Sequence, residues 1–95
     1  MIEVLITPRA EKHFDLIVDF IKAKWGERTA KQFVIKTDEI FRLLKNYPTM
    51  GQIESGDIRG FQLSRQTRLL YRVRDEKIIV LAFFDVRQDP NKKFG

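Results

Sequence analysis

Thr67-Arg68-Leu69-Leu70-Tyr71-Arg72-Val73-Arg74 is the stretch on which the fold turns. Leu69, Tyr71 and Val73 alternate with Arg68, Leu70, Arg72 and Arg74, so a strand here has one apolar face and one mostly cationic face. Downstream, Asp75-Glu76-Lys77 is short enough for a hairpin turn. The following Ile78-Ile79-Val80-Leu81-Ala82-Phe83-Phe84 shows no alternation, which predicts a central strand covered on both faces. Upstream, Ile58 to Ser64 predicts a further strand, and these segments together read as an antiparallel three-stranded meander. The segment from Pro48 to Gly56, with one proline and two glycines, has neither period and reads as a loop.

Farther toward the N-terminus the periodicity changes. Phe14, Ile17, Val18, Ile21 and Trp25 recur at helical spacing after Thr7-Pro8, a cap followed by proline at the first helical position. Gly26 interrupts that helix, and a second follows with Ala30, Phe33, Thr37, Ile40, Phe41 and Leu44 on one side, ending before Tyr47-Pro48. Ile2-Glu3-Val4-Leu5-Ile6 is short, mostly apolar and rich in branched residues, as expected of a strand buried on both faces or beside the core. Strand, helical hairpin and meander, with the helices packed on one face of the sheet, make an α+β fold. Leu16 and Phe20 widen the apolar arc of the first helix beyond what one packing face needs, which marks them for a partner.

The 95 residues fit one domain spanning 1–95. With 43% hydrophobic and 33% charged residues, the chain has the composition of a folded protein and not of a disordered one. No stretch approaches the ~20 apolar residues of a membrane span, and Met1-Ile2-Glu3 lacks the basic start of a secretory signal, so a cytoplasmic location without membrane contact is expected. The absence of cysteine excludes disulfides, thiolate metal sites and cysteine nucleophiles. Phosphate-loop motifs are absent too, and no metal or other cofactor is expected.

Charge is unevenly placed. Residues 58–74 hold five arginines, Arg59, Arg65, Arg68, Arg72 and Arg74, and no acid, within a chain of net charge +5. Arg68, Arg72 and Arg74 share one strand face, and Arg87 follows the last strand and can converge on it. Arginine offers a rigid fork of donors that suits phosphate or carboxylate, so the row reads as an anion-binding face; the bland alternative is a solvated surface with stems covering apolar neighbours. His13 reads as a surface histidine near the polar boundary of the first helix. Asp85 and Asp89 flank Arg87 and read as its partners or as shapers of the turn before Pro90. The spacing of Phe33, Phe41, Phe83 and Phe84 fits core packing better than base stacking.

Arg59-Gly60-Phe61, Thr67 to Val73, and Phe83-Phe84-Asp85-Val86-Arg87-Gln88-Asp89-Pro90, taken with the order of elements, resemble the RelE/ParE superfamily of type II toxins over nearly the whole chain. The resemblance implies a toxin that either cuts messenger RNA on the ribosome, as a metal-independent endoribonuclease, or poisons DNA gyrase, and that a cognate antitoxin silences. It implies that Arg68 and Arg87 match functional arginines of the ribonuclease branch, where they would stabilise charge on the attacked phosphate. Arg59, Arg65, Arg72 and Arg74 would then bind nucleic acid or antitoxin, and Leu16 and Phe20 would form part of the antitoxin surface. The sequence departs from the ribonuclease pattern. Lysines expected around Gly60 and Gln62 are absent, Lys93 and Phe94 stand where a tyrosine is expected, and there is no glutamate–histidine pair. The alternative is therefore a catalytically inactive, degenerate toxin or a basic RNA-binding module.

Overall fold

Thr7 starts the first helix by accepting a hydrogen bond from the Ala10 amide on its hydroxyl at 3.1 Å, with Pro8 in the first turn where a missing N–H is harmless. In this computed structural model, which describes residues 2–86, α1 runs Pro8–Trp25 and α2 Glu27–Asn46. Gly26 joins them at φ +95°, a left-handed geometry that a residue with a side chain rarely adopts. Ala10, Ile17 and Ile21 of α1 are buried, as are Ala30, Thr37, Ile40 and Leu44 of α2. The Phe14 ring lies 5.6 Å from Phe33 of α2 and 5.4 Å from Phe83 of the sheet, joining all three layers of contact. Neither helix is long and apolar enough to cross a membrane.

Among the described residues five strands form the sheet: β1 Glu3–Ile6, β2 Gln52–Ser55, β3 Ile58–Gln62, β4 Thr67–Arg74 and β5 Lys77–Asp85, in the order β1-β5-β4-β3-β2. The α+β reading holds, with three refinements. β1 pairs in parallel with β5, so the sheet is mixed, and β1 is an edge strand whose Glu3, Leu5 and Ile6 are exposed. The meander has four strands, because part of the segment read as a loop forms β2; all four of its residues are exposed, so no buried face imprints a period on them. β5 lies inside the sheet, but the helices cover it on one face only.

A bulge interrupts the alternation within the apolar run of β5. Leu70 pairs with Ala82 but the next residue, Tyr71, pairs with Val80, leaving Leu81 as the extra residue. The phase of alternation shifts there: Ile78 and Val80 face the helices before the bulge, Phe83 after it, and all three are buried. The β4–β5 turn places Asp75 at φ 50° and Glu76 at φ 58°, the mirror-image turn that matches strand twist.

Tyr71, fully buried in β4, fixes the approach to β2. Its hydroxyl donates to the Pro48 carbonyl at 2.8 Å and accepts from the Gly51 amide at 3.0 Å. Burial raises the phenol above its ordinary pKa of 10.0, against opposing effects of the Gly51 amide and Arg59. A side chain at Gly51 would put its Cβ 2.6 Å from the phenol oxygen and 2.9 Å from the Gly60 carbonyl, so the close approach requires glycine. Tyr71→Phe strands the part-buried Pro48 carbonyl and the buried Gly51 amide together; we expect urea denaturation to show a loss of about 1–3 kcal/mol.

Candidate functional site

Side chains directly opposite on paired strands share a face, and the face turned away from the helices gathers Ile58, Gly60 and Gln62 of β3 with Arg72, Leu70 and Arg68 of β4. Arg68 extends across β3 to an ion pair with Glu54 on β2. It passes over Gly60, where an added Cβ would meet both the guanidinium and the carboxylate at under 3 Å. The Gln62 side-chain oxygen also accepts from Arg68, at 3.2 Å, while its amide nitrogen donates to the Ser64 carbonyl at 2.6 Å. Asp57, in the β2–β3 turn, sits 3.3 Å from Arg72 and 3.1 Å from Arg74. The Arg72 Nε is buried without an acceptor.

The acid-free arginine segment of the sequence is thus not acid-free in space. Its counterions come from the neighbouring β2 and its turn, and Asp57 precedes the arginine segment by a single residue. Three arginines face two carboxylates, and their side chains are 25%, 29% and 60% exposed for Arg68, Arg72 and Arg74.

The remaining predicted residues disperse. Arg59 opposes Tyr71 and so lies on the helix side of the sheet, where it donates to the Thr49 and Gly51 carbonyls at 3.0 and 2.8 Å. It braces the turn that Tyr71 holds. Arg65 is exposed in the loop between β3 and β4, past the end of the arginine row. Arg87 and Asp89 lie outside the described residues. Asp85 accepts a buried hydrogen bond from the Thr67 hydroxyl at 2.6 Å. Leu16 is exposed on α1, and the half-buried Phe20 meets the exposed Trp25 edge-on at 5.9 Å, extending the apolar ridge to the end of the helix.

His13 is not an ordinary surface side chain. Pairing of β1 with β5 ends at Val80, Thr7 carries it to the Leu81 carbonyl, and the His13 Nδ1 accepts the Phe83 amide at 3.3 Å. An accepting Nδ1 requires the neutral ring with its proton on Nε2. Burial, and secondarily the charge of Arg9, lower its pKa below the ordinary 6.5.

Beside the arginine row lies a shallow groove of about 410 Å³, lined by Ile58, Leu70, Leu81, Ala82 and Phe84, with Thr7 and Arg9 at its rim. Sequence reasoning missed Glu54, Asp57, Gly60 and Arg9. Only the proximity of Asp57 to the arginines was there to find. The arrangement suits binding of carboxylates or phosphates alongside apolar groups; among the described residues no three His, Asp or Glu side chains gather as a metal site.

A family model described as the ParE toxin of the type II toxin-antitoxin system, parDE, matches residues 4–90. A search of curated proteins gives no match. Among solved structures, the chain is similar to one of a chromosomal ParDE toxin–antitoxin system from P. aeruginosa, at 22% identity and TM-score 0.76, covering 90% of this chain and 96% of that one. It is similar to a YoeB/ParE toxin from Agrobacterium tumefaciens at 17% identity and TM-score 0.68, covering 88% and 98%. A heterotetrameric YoeB-YefM toxin–antitoxin complex from Staphylococcus aureus contains a chain at 14% identity and TM-score 0.63, covering 88% and 95%. At these identities the likeness is one of fold.

Since only the neutral His13 ring can accept the Phe83 amide, its contribution to stability is complete above pH 6.5 and is lost as pH falls through the depressed folded-state pKa. Denaturation of the wild type and of His13→Gln from pH 7.5 to 5 checks this. The wild type's advantage should shrink on acidification, and a constant or growing gap would refute the assignment.

Proposed function

The chain belongs to the ParE toxin family and is the toxin of a type II toxin–antitoxin system, and from that premise we propose that it arrests growth by poisoning DNA gyrase and is silenced by a cognate antitoxin. The observation that carries the choice of target is the engagement of Arg68. A guanidinium that stabilises charge on a reacting phosphate must be aimed at that charge beforehand, with no reorganisation left to do during the reaction. Arg68 is instead committed to Glu54 and Gln62. The missing lysines and C-terminal tyrosine point the same way.

A second reading, ribosome-dependent cleavage of messenger RNA, has one observation in its favour. Glu54 brings a carboxylate against Arg68, which supplies a candidate general base that no sequence motif offered. The Leu16–Phe20–Trp25 ridge suits an amphipathic segment of the antitoxin, and the YoeB-YefM assembly is an example of a protein of this fold held by its antitoxin.

Inducing the gene alone, and then with its neighbouring reading frame, should give growth arrest and rescue. Purified toxin should inhibit gyrase supercoiling, while primer extension after induction finds no new message ends. New ends with unimpaired supercoiling would overturn the gyrase reading in favour of cleavage. In that event Arg68→Ala and Arg87→Ala should each lose toxicity by the catalytic reading of the pair. Salt-sensitive RNA binding with neither effect would mark a degenerate toxin or a basic RNA-binding module.

A further inference from the structure

The two edges of the sheet are finished differently. β2 is polar apart from Ile53, and a bulge between Ile53 and Ser55 breaks its ladder. Both features discourage a further strand from adding there. β1, at the other edge, has neither. Ile2-Glu3-Val4-Leu5-Ile6 carries one charge and no proline or lysine, and its register with β5 is unbroken. Leu5 and Ile6 are 42% and 43% exposed. The Glu3 amide donates to the Glu76 carbonyl at 3.2 Å and the Thr7 amide to the Val80 carbonyl at 3.1 Å. Main-chain groups alternate in direction from one residue of a strand to the next, so those of Ile2, Val4 and Ile6 point away from β5. Among the described residues no strand lies beyond them.

We propose that β1 pairs with β1 of a second copy of this chain, antiparallel, about a twofold axis through Val4. In that register the outward groups match donor for acceptor. Val4 exchanges both hydrogen bonds with its counterpart, and Ile2 exchanges both with Ile6 of the second copy. Val4 pairs with Ile78 and Ile6 with Val80, both of which face the helices, so on that side Ile2, Val4 and Ile6 meet the same three residues of the second copy. On the arginine side Leu5 falls opposite Glu3 of the second copy, and each Glu3 keeps Lys77 of its own chain beside it. A foreign segment would have to supply this pattern, whereas a second copy carries it by symmetry. Pairing of β1 with β2 of the next copy would run on as a fibre, and the bulge within β2 interrupts it.

The axis stands perpendicular to the sheet, so the five strands of each copy join into one continuous sheet with both helical hairpins on one side and both arginine rows on the other. Five strand spacings separate the two β4 strands, about 24 Å before twist. The toxin thus presents its arginine row twice toward the same side, whichever target it acts on. A strand this short gives a smaller contact than the roughly 1,200 Å² of a stable interface, so association is weak, and salt that screens the +5 of each copy strengthens it.

Sedimentation velocity of the full chain from about 5 to 500 µM, in about 0.3 M salt, tests it. The mass should rise from one copy to two across that range, and hydrogen exchange at the Val4 and Ile6 amides should slow with concentration while exchange at Glu3, already bonded to Glu76, stays constant. Val4→Pro removes an amide that faces away from β5, and Ile6→Lys sets a charge on the pairing edge; each should weaken association about tenfold or more with the urea midpoint little changed. Ile53→Lys, on the opposite edge, should associate like the wild type. Should either β1 variant fail to fold, the exchange measurement on the unaltered chain decides. The proposal is overturned by a single-copy mass throughout, by a dimer that survives both β1 variants, by equal weakening with Ile53→Lys, by assemblies that grow beyond two copies, or by Val4 and Ile6 protection that does not depend on concentration.

Discussion

The Tyr71 hydroxyl ties the two halves of the structure together. A buried phenol must satisfy its polar atom, and here both partners are main-chain groups of the 48–51 turn, so the chain leaving α2 has to return to the middle of the sheet. Arg59 holds the same turn from the side through the Thr49 and Gly51 carbonyls. With Gly51 pinned, Gln52 falls opposite Gly60 and β2 takes its register. That register sets Glu54 in reach of Arg68, and the missing side chain at Gly60 opens the path between them. One buried hydroxyl on the helix face therefore helps to set which ion pair forms on the opposite face. An arginine that looked like part of the binding row serves that arrangement from behind.

The bulge at Leu81 does comparable work for the groove. The shift in phase lets the strand contribute Ile78, Val80 and Phe83 to the core while Leu81, Ala82 and Phe84 line the groove. His13 closes the sheet at the same place by accepting the Phe83 amide beyond the end of β1. Bulge, groove and histidine thus occupy one corner of the molecule.

What could be read from the residues follows from the range of the interactions involved. The start of α1 at Thr7-Pro8, its end at Gly26 and the tight turn at Asp75-Glu76 are local, and they stand where the sequence puts them. The core face of each helix follows from its own period except at Trp25, which the period of α1 assigns to that face and the structure leaves exposed at the helix end, and the two-faced character of β4 follows from its alternation. β2 was hidden because it is an exposed edge strand whose pairing depends on Tyr71, twenty positions away from Gly51. The same distance hid the ion pairs. Glu54 and Arg68 are fourteen positions apart and meet across an intervening strand, so no window on the sequence shows them as neighbours. His13 was misread for a related reason, since its partner lies seventy positions ahead in β5.

A cationic face that carries its own anions behaves differently from a bare one. Bare guanidiniums attract any polyanion, and their affinity falls steeply with salt because the gain lies in counterion release. Where carboxylates already occupy the arginines, a newcomer gains only the difference between its own contacts and those it displaces, so charge alone no longer favours it. Selectivity then passes to whatever else the face offers, here the apolar groove lined by Ile58, Leu70, Leu81, Ala82 and Phe84. The same occupancy bears on every incoming anion alike: a carboxylate or a phosphate has first to part Arg68 from Glu54 and Gln62, and that cost is subtracted from its affinity.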